Sequence, residues 1–270
     1  MIVYDDDIHL GCSGWSYRKW IGKFYPDGSQ MNKLLAMYSK TFDCVEVDST
    51  FYGTPTVDTL LSWYETTVKN FKFCPKLDRS ITHVNLLTNI DDKLSLFTSR
   101  IKMLSDKLGP VLIQLPPFLK SDPVLLQDFI EILPRHIEFA FEFRDNSWLN
   151  DRTESILQSY NITTAWSDSP FTRKLFWDTG NFIYLRLVGD RSIPEDSFGT
   201  VQRMKDGDIT GWAEIIRKSE GKAAYIFANN HYEGFSPHTV DLFKEKLAIN
   251  RSAWPIYHKD DRKDRQTTLF

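Results

Sequence analysis

Short β-rich runs alternate with stripes of helical periodicity along almost the whole chain, and this alternation admits few folds. Eight runs are legible: 8–12, 44–48, 71–76, 111–115, 137–143, 162–166, 182–188 and 223–228. Between them Met31, Leu34, Leu35 and Tyr38 recur at helical spacing, as do Val57, Leu60, Leu61, Tyr64 and Val68. Leu94, Phe97, Ile101, Leu104 and Leu108 form a third stripe, and Ile209, Trp212, Ile215 and Ile216 a later one. Strand runs separated by helices are the signature of parallel strands joined by crossovers. Eight such units in 270 residues predict an α/β fold, a single-domain TIM-like (β/α)8 barrel. One crossover is degraded: between the sixth and seventh strands, 169–181 shows no amphipathic helix. Residues 191–208 read as a loop inserted after the seventh strand. The barrel is expected over 1–257, followed by a charged tail at 258–270. Asp122-Pro123 and Ser236-Pro237 mark helix starts, a capping residue before a proline suited to the first turn.

Hydrophobic residues make up 41% of the chain and charged residues 26%, enough apolar matter for a large core. A formal net charge of -3 excludes a global positive field drawing the protein to nucleic acid or to an anionic membrane, so any basic site is local. No apolar run is long enough to span a bilayer, and Met-Ile-Val-Tyr-Asp-Asp-Asp lacks a basic signal-peptide start, so a cytoplasmic location is expected. Cys12, Cys44 and Cys74 fit neither a disulfide framework nor closely spaced metal ligands and read as buried strand residues. With no local His pair, no resident zinc is expected.

In a barrel of this kind the polar residues at strand C-termini and in the loops that follow line the site. That rule selects Ser13, Glu46, Asp48, Lys76, Gln114, Glu142, Arg144, Asp168, Arg186, Asn229 and Asn230. Strand alternation puts Glu46 with Asp48, and Glu142 with Arg144, on one face. Charges on the inward face of an apolar strand are costly unless paired or open to water. Two readings follow: a salt-bridged plug, with Glu46 facing Lys76 and Glu142 facing Arg186, or a ligand site with at least one arginine facing an open pocket. Trp15, Tyr17, Trp20, Phe51, Tyr52 and Trp148 crowd the same loops and offer stacking faces beside the cations. His83 and His231 follow the third and eighth strands, and His83 joins the candidate ligand set. Glu46, Lys76, Glu142 and Asp168 are the candidate catalytic residues, with Glu46 or Glu142 as acid or base, while Lys76, Arg144 and Arg186 would hold an anion. No cofactor is expected beyond weak Mg²⁺ or Mn²⁺ at Glu46 and Asp48. No H-E-x-x-H, Walker loop, G-x-G-x-x-G or G-x-S-x-G is present.

The residues also carry a resemblance. Gly11-Cys12-Ser13-Gly14-Trp15-Ser16-Tyr17, with Trp20 and Phe24-Tyr25-Pro26, resembles the opening motif of the domain of unknown function 72 (YecE-like) family. Val45-Glu46-Val47-Asp48-Ser49-Thr50-Phe51-Tyr52 resembles its second motif, which usually has Asn where Asp48 stands. Lys76 with Ile81-Thr82-His83, the segment 109–117, Glu142-Phe143-Arg144 with Ser147-Trp148, Asp168-Ser169-Pro170, Tyr184-Leu185-Arg186 and Phe227-Ala228-Asn229-Asn230 continue the match in order. The resemblance implies a TIM-like barrel and supplies no reaction. Members' likeness to endonuclease IV-like and sugar isomerase barrels is an analogy of fold, and those enzymes use His-rich and carboxylate-rich metal sites. Asp48 adds a carboxylate beside Glu46. The function expected is a hydrolase or lyase acting on a phosphorylated or sugar-containing substrate, such as a nucleotide or nucleic-acid end. A sugar-acting hydrolase or isomerase with paired carboxylates, and a non-catalytic nucleic-acid or metabolite-binding module, are the alternatives.

Overall fold

The structure, a computed structural model, describes residues 7–249 apart from residue 220, and the tail expected at 258–270 lies outside them. Eight strands form one parallel sheet: β1 (Ile8–Ser13), β2 (Cys44–Val47), β3 (Lys72–Pro75), β4 (Val111–Gln114), β5 (Phe139–Glu142), β6 (Thr163–Asp168), β7 (Phe182–Leu187) and β8 (Ala223–Ala228). Their order is β3-β2-β1-β8-β7-β6-β5-β4. The two ends of that order meet where Phe73 bridges to Leu108 and Lys76 to Leu112, both parallel, so the sheet rolls into a nearly closed barrel. Each expected strand is present, with ends trimmed or extended by up to two residues.

The helices are α1 (Leu34–Tyr38), α2 (Val57–Thr66), α3 (Asp91–Ile101), α4 (Pro123–Glu131), α5 (Asp151–Tyr160), α6 (Asp206–Lys218), α7 (Asn230–Glu233) and α8 (Ser236–Leu247). Asp122 caps α4 by accepting from the amides of Val124 and Leu125, ahead of Pro123. Asn150 caps α5 by accepting from Thr153. Ser236 departs from expectation: it lies inside α8, and its hydroxyl and amide both donate to Asn230 Oδ1 at 3.0 Å. No helix joins β6 to β7 among the described residues. After β7 a loop with one 3-10 turn, Glu195–Ser197, leads to α6. None of the described helices is long and apolar enough to cross a membrane.

Alternation along the strands sorts the core into two shells. Val45, Val47, Phe141 and Phe143 face outward among the helices, in clusters with Leu34, Tyr38, Phe129 and Ile156. Cys44, Cys74, Leu112, Ala140, Ala165, Tyr184 and Phe227 pack together inside the barrel. The three cysteines are free and buried, Cys12 in the outer shell and the other two in the inner. β1 has Gly11 at the inner level, where a Cβ would stand 2.0 Å from the Cys44 carbonyl oxygen. One residue above this apolar layer, by the same alternation, the inward side chains turn polar.

Candidate functional site

All strands run parallel, so their C-terminal ends share one mouth. The inward residues there are Ser13, Glu46, Lys76, Gln114, Glu142, Ser167 and Arg186, each two positions beyond an inner-layer residue. Register supports the ring, since Ser13 pairs with Glu46, Gln114 with Glu142 and Ser167 with Arg186.

Arg186 is the hub. Its Nε and Nη2 donate to Glu46 Oε2 and Oε1, both at 2.7 Å, and its Nη1 donates to Glu142 Oε2 at 2.6 Å. Ser13 Oγ and Tyr184 OH donate to the same Glu46 at 2.8 and 2.9 Å. Gln114 Nε2 donates to Glu142. All are buried. Burial opposes ionisation of both carboxyls, but Arg186 outweighs it. Glu142, with Arg144 adding to the pull, falls to about 2, and Glu46 also lies below its ordinary value. Both are ionised at neutral pH; Glu46 has donors on both oxygens, whereas the hydrogen bonds of Glu142 fall on Oε2 and its Oε1 faces Arg144. The sequence reading paired Glu46 with Lys76. In the structure Arg186 bridges both glutamates, gripping both oxygens of Glu46 with two donors of its planar fork and reaching Glu142 with a third, and Lys76 stands near Asp48 instead.

Lys76 and Arg144 are less engaged. Lys76 Nζ lies 3.7 Å from Asp48 Oδ1 and 4.2 Å from the centre of the Phe51 ring, and its side chain is 8% exposed. Burial pushes its ammonium below the ordinary lysine value and Arg186 adds to this, against the pull of Asp48. Burial and the Glu46 charge raise Asp48. Thr50 holds the Lys76 backbone, its hydroxyl donating to the carbonyl at 2.7 Å and accepting from the amide at 3.0 Å. Arg144 Nε stands 3.7 Å from Glu142 Oε1, and its guanidinium makes no hydrogen bond among the described residues. His83 packs edge-on against Phe51 at 4.9 Å, and its Nδ1 shares a hydrogen bond with Thr82 Oγ1 at 2.8 Å. Burial, then Lys76, Arg144 and Arg79, push His83 down to about 4, leaving it neutral at pH 7. Tyr52 stands exposed beside Phe51.

Several expected members stay out of this mouth. Asp168 pairs in register with Leu187 of the outer shell, so it points to the helices, where Trp212 Nε1 and Tyr232 OH donate to it at 2.7 and 2.8 Å. Asn230 turns outward too, accepting from buried Trp20 Nε1 at 3.2 Å. Trp148 is wholly buried against Phe143 and donates to the Leu119 carbonyl at 2.8 Å. Trp15 packs edge-on against Trp63. Tyr17 is half-buried against Trp20, near enough to feel the charges of Asp48 and Glu46, and donates to the Ser13 carbonyl at 2.7 Å. Asn229, two beyond inner-layer Phe227, keeps the inward parity but gives its Oδ1 to capping α7, accepting from the His231 amide at 3.0 Å, and His231 Nδ1 donates to the Ile193 carbonyl at 2.9 Å.

Two ring members escaped the sequence reading. Tyr184 and Ser167 have the right parity, two before Arg186 and one before Asp168, but neither is a charge in a strand. The signal for Ser167 was its stripe of small residues, Thr163, Ala165 and Ser167, opposite bulky Trp166. Its hydroxyl is buried and has no hydrogen-bond partner among the described residues.

Among the described residues no group of three or more His, Cys, Asp or Glu side chains is arranged to hold a metal. Glu46 gives both oxygens to protein donors, so a cation at Glu46 and Asp48 would have to displace Arg186 or Lys76.

A family model described as protein of unknown function DUF72 matches residues 9–265. The protein YecE of Escherichia coli K12 is 30% identical over 138 residues, 51% of this chain and 48% of that protein, so the match spans about half the relative's length. YunF of Bacillus subtilis is 29% identical over 244 residues, covering 84% of this chain and 80% of YunF. A solved DUF72 family protein of Thermotoga maritima superposes with a TM-score of 0.75 at 26% identity, over 89% of this chain and 99% of its own. One from Enterococcus faecalis gives 0.72 at 17% identity, over 94% and 100%, a likeness of fold alone.

Proposed function

The chain belongs to the DUF72 family, and from that premise we infer, on the chemistry of its own residues, that the barrel mouth is an active site of lyase or hydrolase type for a small anionic substrate. The observation carrying this is the contrast between the two arginines. Arg186 spends its donors on Glu46 and Glu142, whereas Arg144, 18% exposed, is held only by a 3.7 Å contact and keeps its fork for a ligand. A guanidinium fork suits a phosphate or carboxylate in bidentate fashion. Arg79 and Arg191 add positive field, felt at His83 and Arg144 respectively. Phe51 and Tyr52 offer ring faces for the rest of the ligand. Proton transfer falls to Asp48 and Lys76, whose titrations are drawn toward each other, rather than to Glu46 and Glu142, which Arg186 keeps ionised. That same bridge disfavours glycoside hydrolysis by paired carboxylates, which needs one of them protonated.

Thermal melting with phosphate, sulfate, nucleotides and sugar phosphates tests the reading. Ligand a hundredfold above Kd adds about 2.7 kcal/mol, which is several degrees in a chain of this size. Arg144→Gln should melt close to wild type without ligand and lose most of that gain. Indifference of the wild type to every anion would discard the reading.

A further inference from the structure

We propose that Lys76 is an imine-forming nucleophile and that the substrate is an anionic aldehyde or ketone; this rests on the reading of the mouth as an anion site. Three features of the structure converge on the lysine. It is inward-facing at the end of β3, and its Nζ lacks any hydrogen bond among the described residues, engaging only Asp48 at 3.7 Å and the Phe51 ring at 4.2 Å. A lysine built to neutralise a plug would be saturated, as Lys107 is: its Nζ donates to Tyr64 O, Thr67 O and Thr67 Oγ1 at 2.6, 2.7 and 3.0 Å. Second, the cation Arg186 stands in the same ring, and a desolvated amine beside a fixed cation is the arrangement that frees a lysine lone pair. Third, buried Ser167 Oγ, in register with Arg186, has no hydrogen-bond partner among the described residues, which leaves a polar group within the ring for a ligand atom.

The step balances with groups in place. Asp48 takes a proton from the Lys76 ammonium, and the free amine adds to the carbonyl carbon. The C–N bond forms as the carbonyl π pair moves to oxygen, which takes up that proton. A second nitrogen proton, carried by Asp48 to the hydroxyl, lets it leave as water, and the nitrogen lone pair closes the C=N bond. The net change converts ammonium and carbonyl into a protonated imine and one water. Arg144 holds the anionic group, and the iminium then serves as the electron sink for bond cleavage or proton loss at the neighbouring carbon.

The test uses the full chain incubated with pyruvate, an anionic ketone, or glyceraldehyde 3-phosphate, an anionic aldehyde, and then reduced with sodium borohydride. Peptide mass mapping should find one adduct per chain, at Lys76, heavier by the probe less one oxygen. The adduct should vanish in Lys76→Arg, which keeps the charge, and weaken with added inorganic phosphate or in Arg144→Gln. No Lys76 adduct with either probe, or labelling spread evenly over surface lysines, overturns the proposal. If phosphate still raises the melting temperature while no adduct forms, the covalent step fails and anion binding stands; if neither is seen, both fail.

Discussion

Arg186 shows how one residue fixes the protonation of a whole mouth. Two carboxylates sit together in a buried ring because a single guanidinium donates to both, with Ser13 and Tyr184 adding donors to Glu46 and Gln114 one to Glu142. Replacing Arg186 with Met leaves Glu46 and Glu142 buried without the cation that hydrogen-bonds to both, only the more distant Lys76 and Arg144 remaining, a loss of about 3–5 kcal/mol at neutral pH by urea unfolding. The pH dependence has a definite sign. Glu142 has its native value lowered from 4.5 to about 2, so its contribution is fully present above 4.5 and drains away as pH falls toward 2. In Arg186→Met burial raises both glutamates, so that protein gains relative to wild type on acidification. The gap between the two unfolding free energies should therefore narrow from pH 7 to pH 4, and a constant gap would show that the carboxylates are not the groups stranded. Arg144→Gln removes a half-engaged cation while Arg186 stays on Glu142, so it should cost less than Arg186→Met in the same unfolding measurement.

At the scale of elements, the inner layer depends on β1 passing close to β2. Gly11 makes this possible, since an added methyl would meet the Cys44 carbonyl oxygen at 2.0 Å and the Cys44 sulfur at 3.1 Å, both in a packed interior. Gly11→Ala should lose several kcal/mol by overpacking, of the order of 1–3 or more, whereas Gly28→Ala, whose Cβ meets nothing, tests only the cost of its φ of +73°. Equal melting temperatures for wild type and Gly11→Ala would mean that the two strands separate freely. The elements themselves were legible because strand alternation and helical stripes are local patterns: all eight strands and the missing sixth crossover stand where the residues put them. Parity was the part of the site best legible: it put Glu46 with Asp48 and Glu142 with Arg144 on the inward face, and strand-end position added Lys76 and Arg186. Strand-end position alone selected Asp168, whereas Ser167 holds the inward place and the carboxylate turns to Trp212 and Tyr232. Partner choice was not legible, because whether Arg186 serves one carboxylate or two depends on the distance across the barrel. The aromatic density after β1 and β5 misled for a related reason: Trp20 and Trp148 are large enough to be core, and only packing tells a core ring from a rim ring.

Across the whole molecule the barrel is unevenly sewn. β7 and β8 pair over six residues and β1 and β8 over five, whereas β3 and β4 are joined by two isolated bridges. At that seam Gly109 N donates to Phe73 O and Leu77 N to Leu112 O, both at 2.8 Å, and Gly109 has no Cβ that would press on Cys74 Sγ. Regions with few backbone bonds open at lower free energy than densely paired ones. Amide hydrogen exchange should therefore be faster at Leu77 and Gly109 than at Ile226 or Leu185, in the middle of β8 and β7. The seam also carries function, because Lys76 belongs to one of its two bridges while Arg144 follows β5 on the far side. A ligand held by both residues would staple β3 to the β4–β5 side, so an anion that raises the melting temperature should slow exchange at Leu77 more than at Ile226. Uniform protection across the sheet would mean that the seam is as tight as the rest, and a uniform slowing by ligand would mean that binding stabilises the barrel without bridging it. Selective slowing at Leu77 would tie the weakest line of the fold to the two cations the mouth leaves unsaturated.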